Sequence, residues 1–187
     1  MIALSEIKFI KEPPALFSLL PFPLKYGWNL AQNKNIPDLY LAKNSNYLYF
    51  GAVFKAPFNF KRDLKCGSYF EGLWENDVSE LFFFKKDGSY LEFNLSPSAS
   101  WWAMEFKSYR VRKDNYRQDF QAVCSSSQDK TEIKSLAALP LNLFKEKDGA
   151  FNLCAIVGEN NRRTYLTYTL IKSRKPDFHL LAKRILV

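Results

Sequence analysis

The sequence predicts an all-β fold: an antiparallel β-sandwich of the jelly-roll or immunoglobulin-like kind, a single domain over residues 1–187 with at most short helical turns. Three observations carry this expectation. Aromatic residues make up 17% of the chain, with 17 Phe and 10 Tyr, and rings fit a pleated, half-buried surface better than a helix. The apolar residues fall in short runs, several strictly alternating, with turn residues between them at spacings of roughly ten. A length of 187 residues is enough to close a sizeable core without disulfides or metal.

Taken in order, residues 2–10 read as an entry strand. Pro13, Pro14, Pro21 and Pro23 follow; they cannot donate ladder hydrogen bonds and belong to an edge or loop. Residues 26–31, with Trp28, form a short strand, and 33–38 a turn. In 47–54 Leu48, Phe50, Ala52 and Phe54 share one face while Tyr47, Tyr49 and Val53 take the other, the two-sided apolar pattern of a central strand. Pro57 and Asn59 end it, and a loop with Lys61, Arg62, Asp63 and Lys65 follows. Residues 73–86 fit two patterns, because Trp74, Val78, Leu81 and Phe82 also make a helical stripe; the run Phe82, Phe83, Phe84 favours strand. Asp87-Gly88 marks a hairpin. In 90–95 Leu91, Phe93 and Leu95 oppose Tyr90, Glu92 and Asn94, and in 101–107 Trp102, Met104 and Phe106 oppose Trp101, Ala103 and Glu105. Two weaker strands, 116–124 and 131–139, flank a loop at Ser125, Ser126 and Ser127. A single helical turn is expected at 140–144. Strands 150–157 and 164–171, joined by a turn at 158–161, close the domain.

The net charge is +8 and the pI about 9.3, which raises polyanions as partners. The basic groups (Arg110, Arg112 and Lys113; Arg162 and Arg163; Lys172, Arg174 and Lys175; Lys183 and Arg184) sit at the ends of β-like runs. They belong to no helix-turn-helix, RRM, KH or zinc-finger pattern, so they read as solvated strand ends rather than a nucleic-acid surface. Cys66, Cys124 and Cys154 are an odd count at wide spacings without a C-x-x-C pair. No disulfide framework is expected, and at least two should be buried, inert thiols. No apolar run reaches the roughly 18 residues of a membrane span and the first 30 residues lack a secretory pattern, so no membrane partner and a cytoplasmic location are expected. His179 is the lone histidine. Without a G-x-S-x-G elbow, a P-loop or a Rossmann glycine pattern, it reads as a hydrogen-bonded structural residue, and no catalytic residue is assigned.

Chemistry concentrates in residues 71–107. The decapeptide 71–80 holds Glu71, Glu75, Asp77 and Glu80 and no Lys or Arg. Like charges at close range repel, so such a run is either solvated or assembled for a ligand, cation or counter-charge. A pyranose offers a flat C–H face and a rim of hydroxyls, and its site needs an aromatic platform with carboxylates and amides in the ring plane. On a strand reading Trp74 and Glu80 share parity, and Glu92 and Asn94 point together from the next strand. The plainer alternative puts Trp74 in the core and the acids in solvent. Glu75, Asp77, Glu80, Glu92 and Glu105 could also supply a glycosidase pair, which leaves a jelly-roll enzyme acting on saccharides as the competing function.

Trp74-Glu75-Asn76-Asp77-Val78-Ser79-Glu80-Leu81-Phe82 resembles the W-E-x-D-x-x-E-x-F segment of family 9 carbohydrate-binding modules. The segment Tyr90-Leu91-Glu92-Phe93-Asn94-Leu95-Ser96-Pro97 resembles the following strand of their DOMON-like bacterial relatives, and Lys175-Pro176-Asp177-Phe178-His179 is similar to a closing segment of those relatives. The match covers roughly residues 70–110. The resemblance implies a non-catalytic sandwich that binds saccharides, often at a chain end, through a tryptophan clamp, with structural calcium as an option. Carried over, Trp74 is one ring of the clamp, Glu80 a carboxylate accepting sugar hydroxyls and Asn94 an amide contact. Glu92 stands where the family has an arginine. The second clamp tryptophan has no counterpart, since all four Trp lie before position 103, and Tyr165 or Tyr168 would take its place. A further alternative is an interaction domain that has kept the fold and lost the sugar.

Overall fold

The computed structural model describes residues 1–32, 35–61, 63–114, 120–146 and 148–183. Its strands are β1 (Ile2–Ala3), β2 (Tyr26–Trp28), β3 (Asp38–Lys43), β4 (Tyr47–Lys55), β5 (Val78–Phe84), β6 (Tyr90–Leu95), β7 (Trp101–Ser108), β8 (Val111–Arg112), β9 (Val123–Gln128), β10 (Glu132–Pro140), β11 (Ala150–Val157) and β12 (Thr164–Thr167). Helical structure among the described residues is confined to short 3-10 turns. The strands form two antiparallel sheets. The larger runs β2-β12-β11-β5-β6-β7-β8, with β1 added along β11, and the smaller runs β3-β4-β10-β9.

Alternation decides which side chains lie between the sheets. Leu48, Phe50, Ala52 and Phe54 of β4 meet Leu81 and Phe83 of β5, Leu91, Phe93 and Leu95 of β6, Trp101 of β7 and Phe151 and Leu153 of β11 in one buried core. Each sheet also has an apolar outer face that needs a cover. Tyr49 and Val53 of β4 pack beneath Leu16 and Phe17 of the 3-10 turn Pro13–Ser18. On the larger sheet Val78, Phe82 and Phe84 of β5, Tyr90 of β6, Trp102 and Phe106 of β7 and Ile156 of β11 pack beneath Ile171, Phe178 and Leu181. The second cover ends in the 3-10 turn Phe178–Lys183 and forms one wall of the candidate site. The β5–β6 hairpin is the one signalled by Asp87-Gly88. Gly88 takes the left-handed conformation at φ +81°, which costs glycine nothing, and Asp87 Oδ1 accepts the Ser89 N–H at 2.9 Å.

Several boundaries differ from the sequence expectation, each for a local reason. The entry strand stops at Ala3, because the chain turns through Leu4–Glu6 and the Glu6 carboxylate accepts the Ala3 N–H at 2.6 Å. Residues 33 and 34 of the expected turn lie outside the described residues, and its last residue, Asp38, begins β3, which pairs with β4 from Asp38↔Val53 to Lys43↔Leu48. The 73–86 segment is both of its patterns in succession, a 3-10 turn Leu73–Glu75 and then β5 from Val78. The break is held by Asp77, whose two carboxylate oxygens accept the backbone N–H groups of Asn59 and Gly158, each at 2.8 Å. The serine triplet is not a loop but lies within β9, an exposed edge strand, where the Ser126 hydroxyl donates to the Pro97 carbonyl at 3.0 Å. The turn comes later, with Asp129 Oδ1 accepting the Thr131 and Glu132 N–H groups. Of the earlier expected strand 116–124, residues 116–119 lie outside the described residues, as do Arg62 and Arg184. The last strand ends at Thr167 rather than 171, where Asn152 Oδ1 takes the Thr169 N–H at 3.0 Å and draws the chain off the ladder. All three cysteines are free. Only Cys154 is fully buried, Cys124 is partly covered with burial pushing its thiol up to about 12, and Cys66 is exposed. No helix among the described residues is long and apolar enough to cross a membrane.

Candidate functional site

The site lies on the outer face of the larger sheet. Strand pairing sets its floor, because register aligns Cys154, Glu80, Asn94 and Trp102 as one row across β11, β5, β6 and β7. The neighbouring row places Phe82 opposite Glu92 and Glu92 opposite Met104. Glu80 and Glu92 thus rise from adjacent strands, one step apart on the diagonal. Walls come from four other segments: the 3-10 turn with Trp74, Tyr165 of β12, Arg110 and Arg112 after the end of β7, and Pro176, Asp177, Phe178 and His179 of the cover. They enclose a cavity of about 320 Å³.

Of the residues singled out in the sequence, Trp74, Glu80, Glu92 and Tyr165 line this cavity. Trp74 arrives there from the 3-10 turn, not by strand parity with Glu80. It is half-buried and packs edge-on against Trp102, ring centroids 4.9 Å apart, while Arg163 donates to its backbone carbonyl. Asn94 is fully buried beneath the cavity, and its Nδ2 donates to Glu92 Oε1 at 3.2 Å. Its contact is therefore with Glu92 rather than with the open space. Tyr168 is a correction: it lies on the opposite side of the larger sheet, against the inter-sheet core and 5.7 Å from Phe22. Three residues separate it from Tyr165, so strand alternation puts it with Leu166 on the inter-sheet face.

The acids are held under unusual conditions. Glu80 and Glu92 are 3% and 5% exposed. Burial pushes both carboxyls toward the neutral form, and for Glu80 the neighbouring Glu92 adds to the shift while the fields of Arg163 and Arg110 partly offset it. Glu80 makes no hydrogen bond among the described residues. His179 Nδ1 lies 2.7 Å from the Tyr90 hydroxyl, and its Nε2 lies 3.7 Å from Glu92 Oε2. The second distance is an ion pair only if the ring is protonated, and burial, reinforced by Arg110, lowers its pKa to about 4. The contact is therefore one between a neutral ring and a carboxyl. At the rim, Asp177 binds Arg110 at 3.0 Å and the Tyr109 hydroxyl at 2.5 Å. Arg112 binds Glu71 at 2.7 Å and faces the Trp102 ring at 5.4 Å.

Trp102, Arg110, Arg112, Asp177 and His179 were not assigned to the site from the sequence. The alternation of β7 places Trp102 on the same face as Phe106, and Glu80, Phe82 and Glu92 share that face, which is the signal that could have found it. Arg110, Arg112 and His179 carry no such signal; the sequence reads them as solvated strand ends and a structural histidine.

A second cavity, of about 350 Å³, opens around Phe54, Phe58, Asn59, Glu159 and Arg162. Its buried carboxylate is Asp77, already occupied by two backbone N–H groups, so no buried unpaired side-chain polar atom among the described residues lines it. Among the described residues no group of three or more His, Cys, Asp and Glu side chains converges as a metal site would require. The implied calcium thus finds no carboxylate cage in this part of the chain.

No protein-family model matches the chain. In sequence it is similar to UPF0462 protein C4orf33 of Homo sapiens, 29% identical over 122 residues that cover 62% of this chain and 60% of that protein. It is similar in the same degree to the homolog in Mus musculus, where 62% of each chain is covered. The match spans less than two thirds of the length of these relatives. Among solved structures, the fold is like that of a candidate carbohydrate-binding protein from Bacteroides uniformis, with a TM-score of 0.65 at 14% identity over 92% of both chains. It is also like a family 9 carbohydrate-binding module from Caldicellulosiruptor kristjanssonii in complex with glucose, with a TM-score of 0.55 at 9% identity over 87% of this chain and 83% of that one. At these identities the likeness is one of fold.

Proposed function

We propose that the protein is a non-catalytic saccharide-binding module related to the family 9 carbohydrate-binding modules, a single domain whose site is the cavity over β5, β6 and β7. The observation that carries this reading is the convergence of Trp74 and Tyr165 with the carboxyls of Glu80 and Glu92 in one open cavity. A half-buried indole gives the C–H face of a sugar ring an apolar platform, and carboxyl groups beside it accept hydrogen bonds from the hydroxyl rim. Arg110 supplies donors that the family arginine would have supplied from the position of Glu92. A volume of about 320 Å³ is at the small end of the roughly 300–1,000 Å³ of ligand sites, which suits one terminal sugar residue better than an internal stretch of chain. The sandwich that this protein shares with two carbohydrate-binding structures supports the same reading.

The two buried carboxyls also favour one competing reading, a saccharide-cleaving enzyme. Glycosidase carboxyls flank the scissile bond from opposite sides, whereas Glu80 and Glu92 rise side by side from one sheet floor. A reducing-sugar release assay on soluble glucans and xylans separates the two, and turnover abolished by Glu80→Gln would favour the enzyme.

The binding reading is tested on a glycan array followed by calorimetry on the sugars retained. Trp74→Ala should weaken binding at least about tenfold, equivalent to about 1.4 kcal/mol. Absence of affinity across the array, with a Trp74→Ala protein indistinguishable from the parent, would remove the proposal.

A further inference from the structure

The charge around the cavity is incomplete in a way that bears on the ligand. Glu80 and Glu92 lie on adjacent strands and line the cavity. Glu80, 3% exposed, has no hydrogen-bond partner among the described residues. Glu92 receives one neutral amide hydrogen bond, from Asn94, and faces a histidine ring that Phe82, Tyr90 and Phe106 surround at centroid distances of 5.3 to 5.7 Å. That ring contributes no positive charge, since its pKa is lowered.

Two of the nearby cations are paired with other acids, Arg110 with Asp177 and Arg112 with Glu71, while Arg163 makes no ion pair among the described residues and donates to the carbonyl of Trp74, its buried Nε left without a partner. Their fields reach the two carboxyls, but no Lys or Arg among the described residues makes an ion pair with either. Buried carboxyls are ordinarily paired or hydrogen-bonded, because an uncompensated charge in a low dielectric is costly. Without such a partner the two carboxyls are held toward the neutral form, and a cation entering the cavity would supply the missing partner and favour their ionised form.

We propose that the saccharide recognised at this site carries a protonated amine, as a hexosamine does, and that the ammonium group sits between Glu80 and Glu92. The inference rests on the saccharide reading above and names its substrate class. An ammonium offers three donors and a positive charge that favours the ionised form of two acceptor groups, where a neutral hydroxyl offers one donor and no charge. The aromatic lining agrees, since Trp74 lines the cavity and an indole ring attracts a cation as well as the C–H face of a sugar. An N-acetylated sugar has lost the charge and gained bulk, so the site should discriminate against it.

The test is calorimetry at pH 7 and fixed ionic strength with glucosamine, glucose, N-acetylglucosamine and, as an amine without a ring, ethanolamine. Glucosamine should bind at least about tenfold more tightly than glucose or N-acetylglucosamine, and the ratio should fall toward one in Glu80→Gln. Glu92→Gln, the second near-isosteric variant, should lower the same ratio and serves if the first variant fails to fold. Glucose binding as tightly as glucosamine would overturn the inference and leave the saccharide reading standing. Ethanolamine binding as tightly as glucosamine would overturn both, and so would the absence of binding by all four compounds and by the glycan array.

Discussion

His179 shows how much a single environment changes a side chain. Its ring is packed edge-on to Phe82, Tyr90 and Phe106. The Tyr90 hydroxyl accepts the Arg110 N–H at 3.1 Å, so its own proton is free to go to Nδ1 of the histidine, which places the ring proton on Nε2, toward Glu92. A charged ring would break this arrangement. Burial, with the field of Arg110 added, depresses the folded pKa from 6.5 to about 4, which means that the unfolded chain binds the proton more readily. The neutral ring's contribution is fully present above about pH 6.5 and is lost as pH falls toward 4, amounting to about 3 kcal/mol for a shift of this size. Asp77, raised to about 6, and the two buried glutamates act with the opposite sign, since their raised folded pKa values make stability fall as pH rises. The comparison must therefore be a difference. In urea unfolding across pH 4 to 7, His179→Gln should lose less stability on acidification than the parent, and identical slopes would refute the neutral-ring account. At this scale the sequence was legible where parity alone mattered: the outward Glu92 and Asn94 follow from the alternation of residues 90–95. Parity also sets Tyr165 and Tyr168, three residues apart, on opposite faces of the sheet, but only the packing of β12 shows which of the two faces the cavity.

Among the elements, β5 depends on how it begins. Trp74 reaches the cavity because the chain makes a 3-10 turn at Leu73–Glu75 after Gly72, which is left-handed at φ +93°. Asp77 fixes the junction with the Asn59 and Gly158 N–H groups, tying together segments that are 18 and 81 residues distant. Asp77→Asn replaces one acceptor by a donor facing an N–H. It should lower stability by about 1–3 kcal/mol, read as a lower denaturant midpoint, and should weaken sugar binding in parallel because Trp74 loses its seat. A variant as stable as the parent would show that the junction is held otherwise. β2 is a second case of an element shaped by its contact. Gly27 lies so close to β12 that a Cβ there would come within 2.0 Å of the Tyr165 carbonyl oxygen, and this approach lets Trp28 pack at 5.9 Å from Phe178 and bond the Ser173 carbonyl at 2.9 Å. The sequence marks 26–31 as a short strand; it carries nothing to say that Trp28 secures a segment 145 residues away, at Ser173, just before the wall of the cavity.

The whole molecule is held by pairings between distant segments. β1 closes on β11 and β2 on β12, with Trp28 opposite Tyr165, so loop-closure entropy precedes much of the stabilising contact. Sandwiches of this kind fold on millisecond to second timescales. Stopped-flow refolding followed by tryptophan fluorescence should fall in that range, and a microsecond phase accounting for the full amplitude would contradict it. The sequence by itself determined the fold class, the faces of β4, β6 and β7 and the hairpin at Asp87-Gly88, because period-two alternation and turn chemistry depend on residues a few positions apart. Tertiary structure alone decided the site. Trp74 is brought in by a turn, Tyr165 by a strand at the far side of the sheet, Arg110 by the end of β7 and His179 by the C-terminal cover. Whether a carboxyl is solvated or buried without a counter-ion depends on those long-range neighbours, and no local pattern encodes them.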